Sequence, residues 1–311
     1  MSTRGGAHTT PVRVRLRRVS LYRCAVSRVA VCLTVLLTAC GASGDTKEPV
    51  ALPPGMRTIL PPTNADLSPP AVPFDKATPR LVARAVHAYP HDAFAYTQGL
   101  MFDGSRLIES TGLVAKSDVR EVRLETGAVV RHTALPASEF GEGIAMVGDR
   151  IYQVTWQHGR GYIYNAKSLA LIGSMQYDGE GWGLTTDGAQ LYLSDGTSSI
   201  RVIAPDSFRV VRRIDVTEAG TAVPMLNELE WVRGELWANI YKTDLIARID
   251  PTTGHVTGWI DVSALLTAEE RTVVGARGGV ANGIAWDSTR KTVALTGKYW
   301  PRLFEIALPA R

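Results

Sequence analysis

From residue 81 onward, short apolar runs alternate with clusters of Gly, Asp, Asn, Pro and Ser. Runs this short, bounded by turn residues, predict β-strands. One step then recurs five times. A polar residue or Trp stands before a Gly-aliphatic pair, at Gln98-Gly99-Leu100, Glu142-Gly143-Ile144, Trp182-Gly183-Leu184 and Asn282-Gly283-Ile284. In the remaining copy, Asn227-Glu228-Leu229, a glutamate takes the glycine's place. A second apolar strand starts eight residues after that step, at Leu107, Ile151, Leu191 and Leu236. In the fifth copy the gap is ten residues, to Val293. Start-to-start spacings are 44, 40, 45 and 55.

The turns agree with the strands. Asp103-Gly104, Gly148-Asp149, Asp187-Gly188 and Arg233-Gly234 separate first from second strands and suit hairpins. A further hairpin follows in each copy, as in YIYNAKSLALIG (162–173), IRVIAPDSFRVV (200–211) and IARIDPTTGHVTGWI (246–260). Each copy is therefore a four-stranded antiparallel unit the size of a propeller blade. Five such units predict an all-β fold, a five-bladed β-propeller. The fifth copy runs out one strand short, after Leu303–Ile306. Residues 81–89, LVARAVHAY, are expected to supply the missing strand and close the ring, which removes exposed sheet edges. A stacked two-sheet sandwich would not explain equal offsets in successive copies. The long last interval holds SALLTAEERTVV (263–274), a predicted helix with a Thr267…Glu270 capping box.

The first 80 residues have another texture. Residues 1–40 carry seven Arg and no Asp, Glu or Lys. The rest holds 27 Lys and Arg against 30 Asp and Glu, so the net +4 of the chain belongs to this leader. A nucleic-acid partner loses its electrostatic support. An 11-residue apolar run, VAVCLTVLLTA (29–39), follows the arginines; it is too short for a stable membrane span and suits a secretory signal. It ends in Leu37-Thr38-Ala39-Cys40-Gly41, which resembles the bacterial lipoprotein box. Nine of the 17 prolines fall in residues 41–80. The expected organisation is a lipoprotein-type signal peptide at 1–39, a Pro-rich tether at 40–80 lipid-modified at Cys40, and the propeller at 81–311. Exported to the cell envelope, it would be membrane-anchored through Cys40 and extracytoplasmic. All three cysteines lie in the leader, so the body has no disulfide, cysteine nucleophile or cysteine-built zinc site.

The offsets also place chemistry. First strands run away from one mouth of the central channel and second strands return to it. The residues opening the first strands, Gln98, Glu142, Trp182, Asn227 and Asn282, should therefore meet the sixth residues of the second strands, Gly112, Trp156, Gly196, Tyr241 and Lys298. Glu142 sits between two glycines, in Phe140-Gly141-Glu142-Gly143. A carboxyl in an aromatic-lined mouth should have a raised pKa, fit for proton transfer near neutrality. Lys298 could pair with it, holding blades together, or could stabilise developing negative charge. Other chemistries find little support. The five histidines after the leader show no metal-ligand spacing, no GxSxG elbow or phosphate-binding glycine loop is present, and His91-Asp92 suits a turn better than a dyad.

At these residues the chain resembles the glutaminyl-peptide cyclotransferases of the plant and bacterial type. The similar segments include PHDAFAYTQGL (90–100), FGEGI (140–144), GWGLTTDG (181–188), LNELEWVRGELWANIY (226–241) and LTGKYWPRLFEI (295–306). The resemblance implies a five-bladed propeller with no cofactor and no required metal. It implies cyclisation of the N-terminal glutamine of peptides or proteins to pyroglutamate, with release of ammonia. The family's central glutamate falls on Glu142 and its channel lysine on Lys298. Its binding residues fall on Tyr96, Gln98, Phe140, Trp156, Trp182 and Asn227. Tyr241 stands where the family has a channel tryptophan, and Asn282 joins the set through its repeat offset. A monomer is expected, since a closed propeller carries its own channel. Two other readings remain open on the residues alone: a non-catalytic envelope propeller that binds a partner, and a metal-dependent lactonase-like propeller using Glu142, Asn227 and Asn282.

Overall fold

The structure, a computed structural model, describes residues 69–308. The expected signal peptide, Cys40 and most of the tether lie outside the described residues. Five sheets are built on the repeats. In each, the strand at the repeat start lies innermost; in four blades the next three follow outward in chain order, and in the fifth only the next two do. Innermost strands are Thr97–Asp103, Gly141–Val147, Leu184–Thr186, Leu226–Val232 and Ala281–Asp287. Each packs beside the next, and the fifth packs beside the first, so the ring closes. Among the described residues no helix is long and apolar enough to cross a membrane.

Alternation along the strands puts apolar side chains on both faces of every blade, and these fill the seams. Five buried clusters result, one per seam. Met101, Ile108 and Val119 of blade one meet Ile144, Ile151 and Tyr162 of blade two. Leu100, Leu107 and Val122, on the opposite face of blade one, meet Ala285, Ala294 and Leu303 of blade five.

The predicted closing strand is present but divided. Ala85–Pro90 pairs antiparallel with Arg302–Ala307 and completes blade five. Arg80–Val82 instead pairs in parallel with Trp259–Asp261, adding a fifth strand to the outer edge of blade four. Contacts begin ahead of that strand: Phe74 meets Trp259 of blade four edge-on at 5.4 Å, and the Asp75 amide donates to Glu218, in the connection before blade four, at 3.0 Å. The predicted helix spans Ala268–Ala276, with Thr267 as N-cap and the reciprocal Glu270 bond in place. A small hairpin, Thr217–Glu218 with Thr221–Ala222, was not legible in the repeat pattern.

The Gly-aliphatic step is a backbone device. In four blades the register between first and second strands slips at it, between Thr97 and Gly99, Gly141 and Ile144, Leu226 and Leu229, and Ala281 and Ile284. A bulge re-aims a side chain and ends the regular pairing. Here it sets Gln98, Glu142, Asn227 and Asn282 at the head of the channel. The glycine beside it lets neighbouring blades close up. A Cβ on Gly183 would lie 2.1 Å from the Asn227 carbonyl oxygen, and one on Gly143 would lie 2.3 Å from the Leu184 nitrogen.

Candidate active site

Glu142 enters the mouth at the start of the innermost strand of blade two, a segment held from several sides. The buried Glu139 carboxylate accepts from Tyr162 at 3.1 Å and from His158 at 2.8 Å, fixing the approach to Phe140. The Gly141 amide donates to Ser117 Oγ at 2.9 Å. Ser110 Oγ donates to the Glu142 carbonyl and receives Gln153 Nε2 at 2.8 Å. The Glu142 side chain is thus presented by fixed backbone, at 5 % exposure. Burial pushes its carboxyl well above the usual carboxylate range; the charge of Lys298 opposes that and the charge of Glu180 adds to it.

Around Glu142 runs a nearly continuous wall. Tyr96 meets Phe140 edge-on at 6.0 Å, and Phe140 meets Trp156 at 5.8 Å. Trp156 Nε1 donates to Glu180 Oε2 at 2.9 Å, and Trp182 Nε1 donates to the same oxygen at 2.8 Å. Trp182 meets Tyr241 at 5.5 Å. Lys298 Nζ then stands 5.0 Å from the Tyr241 ring and 4.7 Å from the Tyr96 ring, closing the circuit. The glycines of the second-strand set have a clear purpose. A Cβ at Gly112 would strike Phe140 at 2.6 Å, and one at Gly196 would strike Trp182 at 2.7 Å. Blades one and three give up a side chain there so that an aromatic can lie over the gap.

The amides form a chain of their own. Asn227 Nδ2 donates to Asn282 Oδ1 at 3.0 Å, and Asn282 Nδ2 donates to Gln98 Oε1 at 3.2 Å and to the Thr97 carbonyl at 2.9 Å. Three blades are joined across the channel this way. Below them Glu228, the residue in place of glycine, accepts from the Leu100 amide at 3.3 Å and the Ile284 amide at 3.0 Å. Burial and the nearby Glu230 push Glu228 well up, and burial raises Glu230 to about 8. In blade four the repeat's glycine position thus carries a carboxyl that reaches the inner strands of blades one and five.

All ten sequence-predicted residues fall in this one assembly. Lys298 and Glu142 do not close into a contact ion pair among the described residues; the ammonium lies over two rings instead, as a cation–π contact. Burial keeps the Tyr241 phenol raised, hence protonated and able to donate near neutrality. Glu180 was missed by sequence reasoning, although it stands in Glu180-Gly181-Trp182 beside a predicted residue. Arg201 in turn fixes Glu180, donating to the Glu180 and Asp178 carbonyls. His91 does more than turn the chain. Its Nδ1 donates to the Trp300 carbonyl at 2.7 Å and its Nε2 to Glu109 at 3.1 Å. Arg120 Nε holds the other Glu109 oxygen at 2.9 Å. Among the described residues no three His, Cys, Asp or Glu side chains gather as a metal site.

Comparison with known proteins decides the family. The glutamine cyclotransferase profile matches residues 60–308. The chain belongs to the glutamine cyclotransferase family. A glutaminyl-peptide cyclotransferase from Arabidopsis thaliana is 42 % identical over 226 residues, covering 72 % of this chain and 70 % of that protein. The crystal structure of Myxococcus xanthus glutaminyl cyclase superposes with a TM-score of 0.67 at 36 % identity, covering 74 % of this chain and 97 % of that one.

Proposed function

We propose that this glutaminyl-peptide cyclotransferase closes the N-terminal glutamine of peptides onto itself without a metal, with Glu142 carrying the proton. The substrate's α-nitrogen bonds to its own side-chain amide carbon, and the carbon–nitrogen bond of that amide breaks. One proton moves from the attacking to the leaving nitrogen, and ammonia departs. The observation that carries this reading is a buried carboxyl with a raised pKa inside an aromatic wall.

Because both reacting groups belong to one residue, folding that residue is most of the task. Trp156, Trp182, Phe140 and Tyr241 wall it in, and the Gln98–Asn282–Asn227 chain offers amide groups to its polar ends. Glu142 takes the amine proton and returns it to the departing nitrogen. Its raised pKa brings it closer to the amine it serves, which favours transfer in both directions. Lys298, held between Tyr96 and Tyr241, faces charge that develops on the amide oxygen. An ammonium in that place also disfavours a divalent cation, which weighs against the lactonase-like reading.

The test is incubation with a peptide beginning in glutamine, with and without chelator, beside Glu142→Gln. Mass spectrometry should show loss of one ammonia that resists chelator and falls at least about 100-fold in the variant. Full activity in Glu142→Gln would remove Glu142 from the mechanism, and loss on chelation would restore a metal-dependent reading. We infer further that the protein is a monomeric envelope lipoprotein anchored at Cys40, supported by the Arg-rich leader, short apolar run and Ala39-Cys40-Gly41. Cys40→Ser should move it from the membrane to the soluble fraction.

A further inference from the structure

At the rim of the mouth, on the loop entering blade one, Phe94 stands 78 % exposed. The backbone that presents it is fixed. Its amide donates to Asp92 Oδ1 at 2.9 Å, the Ala95 amide donates to the Asp92 carbonyl at 2.8 Å, and the Tyr299 amide donates to the Ala95 carbonyl at 2.7 Å. Asp92 is itself tied to Arg120 at 3.2 Å. Arg277, just past the helix of the blade four–five connection, lies with its guanidinium carbon 4.9 Å from the Phe94 ring and 4.2 Å from the Tyr299 ring. Its Nη1 donates to the Ala93 carbonyl at 2.6 Å, which uses one of five N–H groups. Tyr299 then meets Tyr96 edge-on at 5.2 Å, and Tyr96 faces Lys298.

These contacts form a ladder from open solvent to the buried lysine: Phe94, Arg277, Tyr299, Tyr96, Lys298. Successive contacts along it measure 4.9, 4.2, 5.2 and 4.7 Å, an unbroken run of rings and cations from the rim inward. A glutamine seated against Glu142 has only one continuation, its own peptide chain, and that chain must leave across the rim. We propose that Phe94 and Arg277 form an extended subsite that binds the second and third residues of the substrate, favouring aromatic side chains there. The apolar face of Phe94 takes the side chain, and the Arg277 fork donates to substrate backbone carbonyls. This rests on the cyclotransferase reading of the same mouth.

The experiment compares kcat and KM of wild type, Phe94→Ala and Arg277→Gln on three substrates: glutamine amide, Gln-Ala-Ala amide and Gln-Phe-Phe amide. Wild type should prefer Gln-Phe-Phe amide over Gln-Ala-Ala amide. Phe94→Ala should lose about three- to tenfold in kcat/KM on Gln-Phe-Phe amide, through KM, and should erase that preference. Arg277→Gln should weaken both tripeptides, while Arg277→Lys recovers part of the loss. Neither variant should change turnover of glutamine amide, which ends before the rim. Equal losses on all three substrates would make the ladder a structural support and overturn the proposal, as would a wild type with no aromatic preference. A wild type inert on all three would instead overturn the cyclotransferase reading, and this proposal with it.

Discussion

Gly183→Ala tests whether blade-to-blade closeness holds the site. The added Cβ would lie 2.1 Å from the Asn227 oxygen, 2.8 Å from Glu228 Cα and 2.8 Å from the Leu229 nitrogen. All three are backbone atoms of the neighbouring inner strand, so no side chain can swing aside. Ordinary contact begins near 3.4 Å, and the seam must therefore open by more than 1 Å. Overpacking of this kind costs about 1–3 kcal/mol. At this chain size that lowers Tm by about 2–12 °C. Kinetics should suffer more, because the strand pushed away carries Asn227 and the strand that pushes follows Trp182. A displacement of 1 Å in positioning groups costs about 100-fold in rate. Gly275→Ala is the control. It lies in the helix with nothing within 4 Å of the new methyl, and should raise stability by up to about 1 kcal/mol with kinetics unchanged. Thermal melts and kcat/KM on a glutaminyl peptide read both variants. Wild-type Tm and rate in Gly183→Ala would refute the argument.

The acid limb of kcat/KM should lie above the ordinary carboxylate range, since Glu142 must lose its proton to act as base. Lys298→Gln removes the charge that lowers the Glu142 pKa and should move that limb to higher pH; Glu180→Gln removes a charge that raises it and should move the limb to lower pH. Shifts in the same direction would contradict the assignment. Glu180→Gln should also raise KM several-fold, because a neutral oxygen holds the two indoles less firmly. The His91–Glu109–Arg120 cluster should give stability two pH limits. Glu109, buried but held down to about 2 by His91 and Arg120, contributes fully above about pH 4.5 and loses about 3 kcal/mol as pH falls through 2. His91, whose burial is outweighed by Glu109, contributes fully below about pH 6.5 and loses its share as pH rises through its raised value. Melts across pH should therefore peak between those limits, and Glu109→Gln should flatten the acid side.

The sequence showed the ring through the step that builds it. Because the recurring step marks a bulge in four of the five blades, its spacing marked both the blades and the residues aimed at the mouth, and Gln98, Glu142, Trp182, Asn227 and Asn282 could be grouped from offsets alone. Lys298 and Tyr241 came the same way, from the returning strand. Phe140 came from the family resemblance, and that Gly112 and Gly196 make room for Phe140 and Trp182 showed only in the structure. Glu180 was not visible, because its role depends on two indoles from different blades meeting one oxygen. The division of the closing strand was equally hidden: alternation runs through residues 81–89, and nothing local says that Arg80–Val82 joins one blade while Ala85–Pro90 joins the next.

That division sets how the domain would carry force. Tension arriving from ahead of Arg80 reaches the parallel pairing with Trp259–Asp261 before it reaches the strand that closes the ring. There the Arg80–Asp261 ion pair at 2.7 Å, the Ala83 amide bond to the Asp261 carbonyl at 2.8 Å and the Phe74–Trp259 contact resist together. The outer edge of blade four acts as a strain relief, as a cable clamp does ahead of a soldered joint. A domain pulled by its leading end would let go of that clamp first, and only then would the load fall on the seam whose opening would spread the mouth.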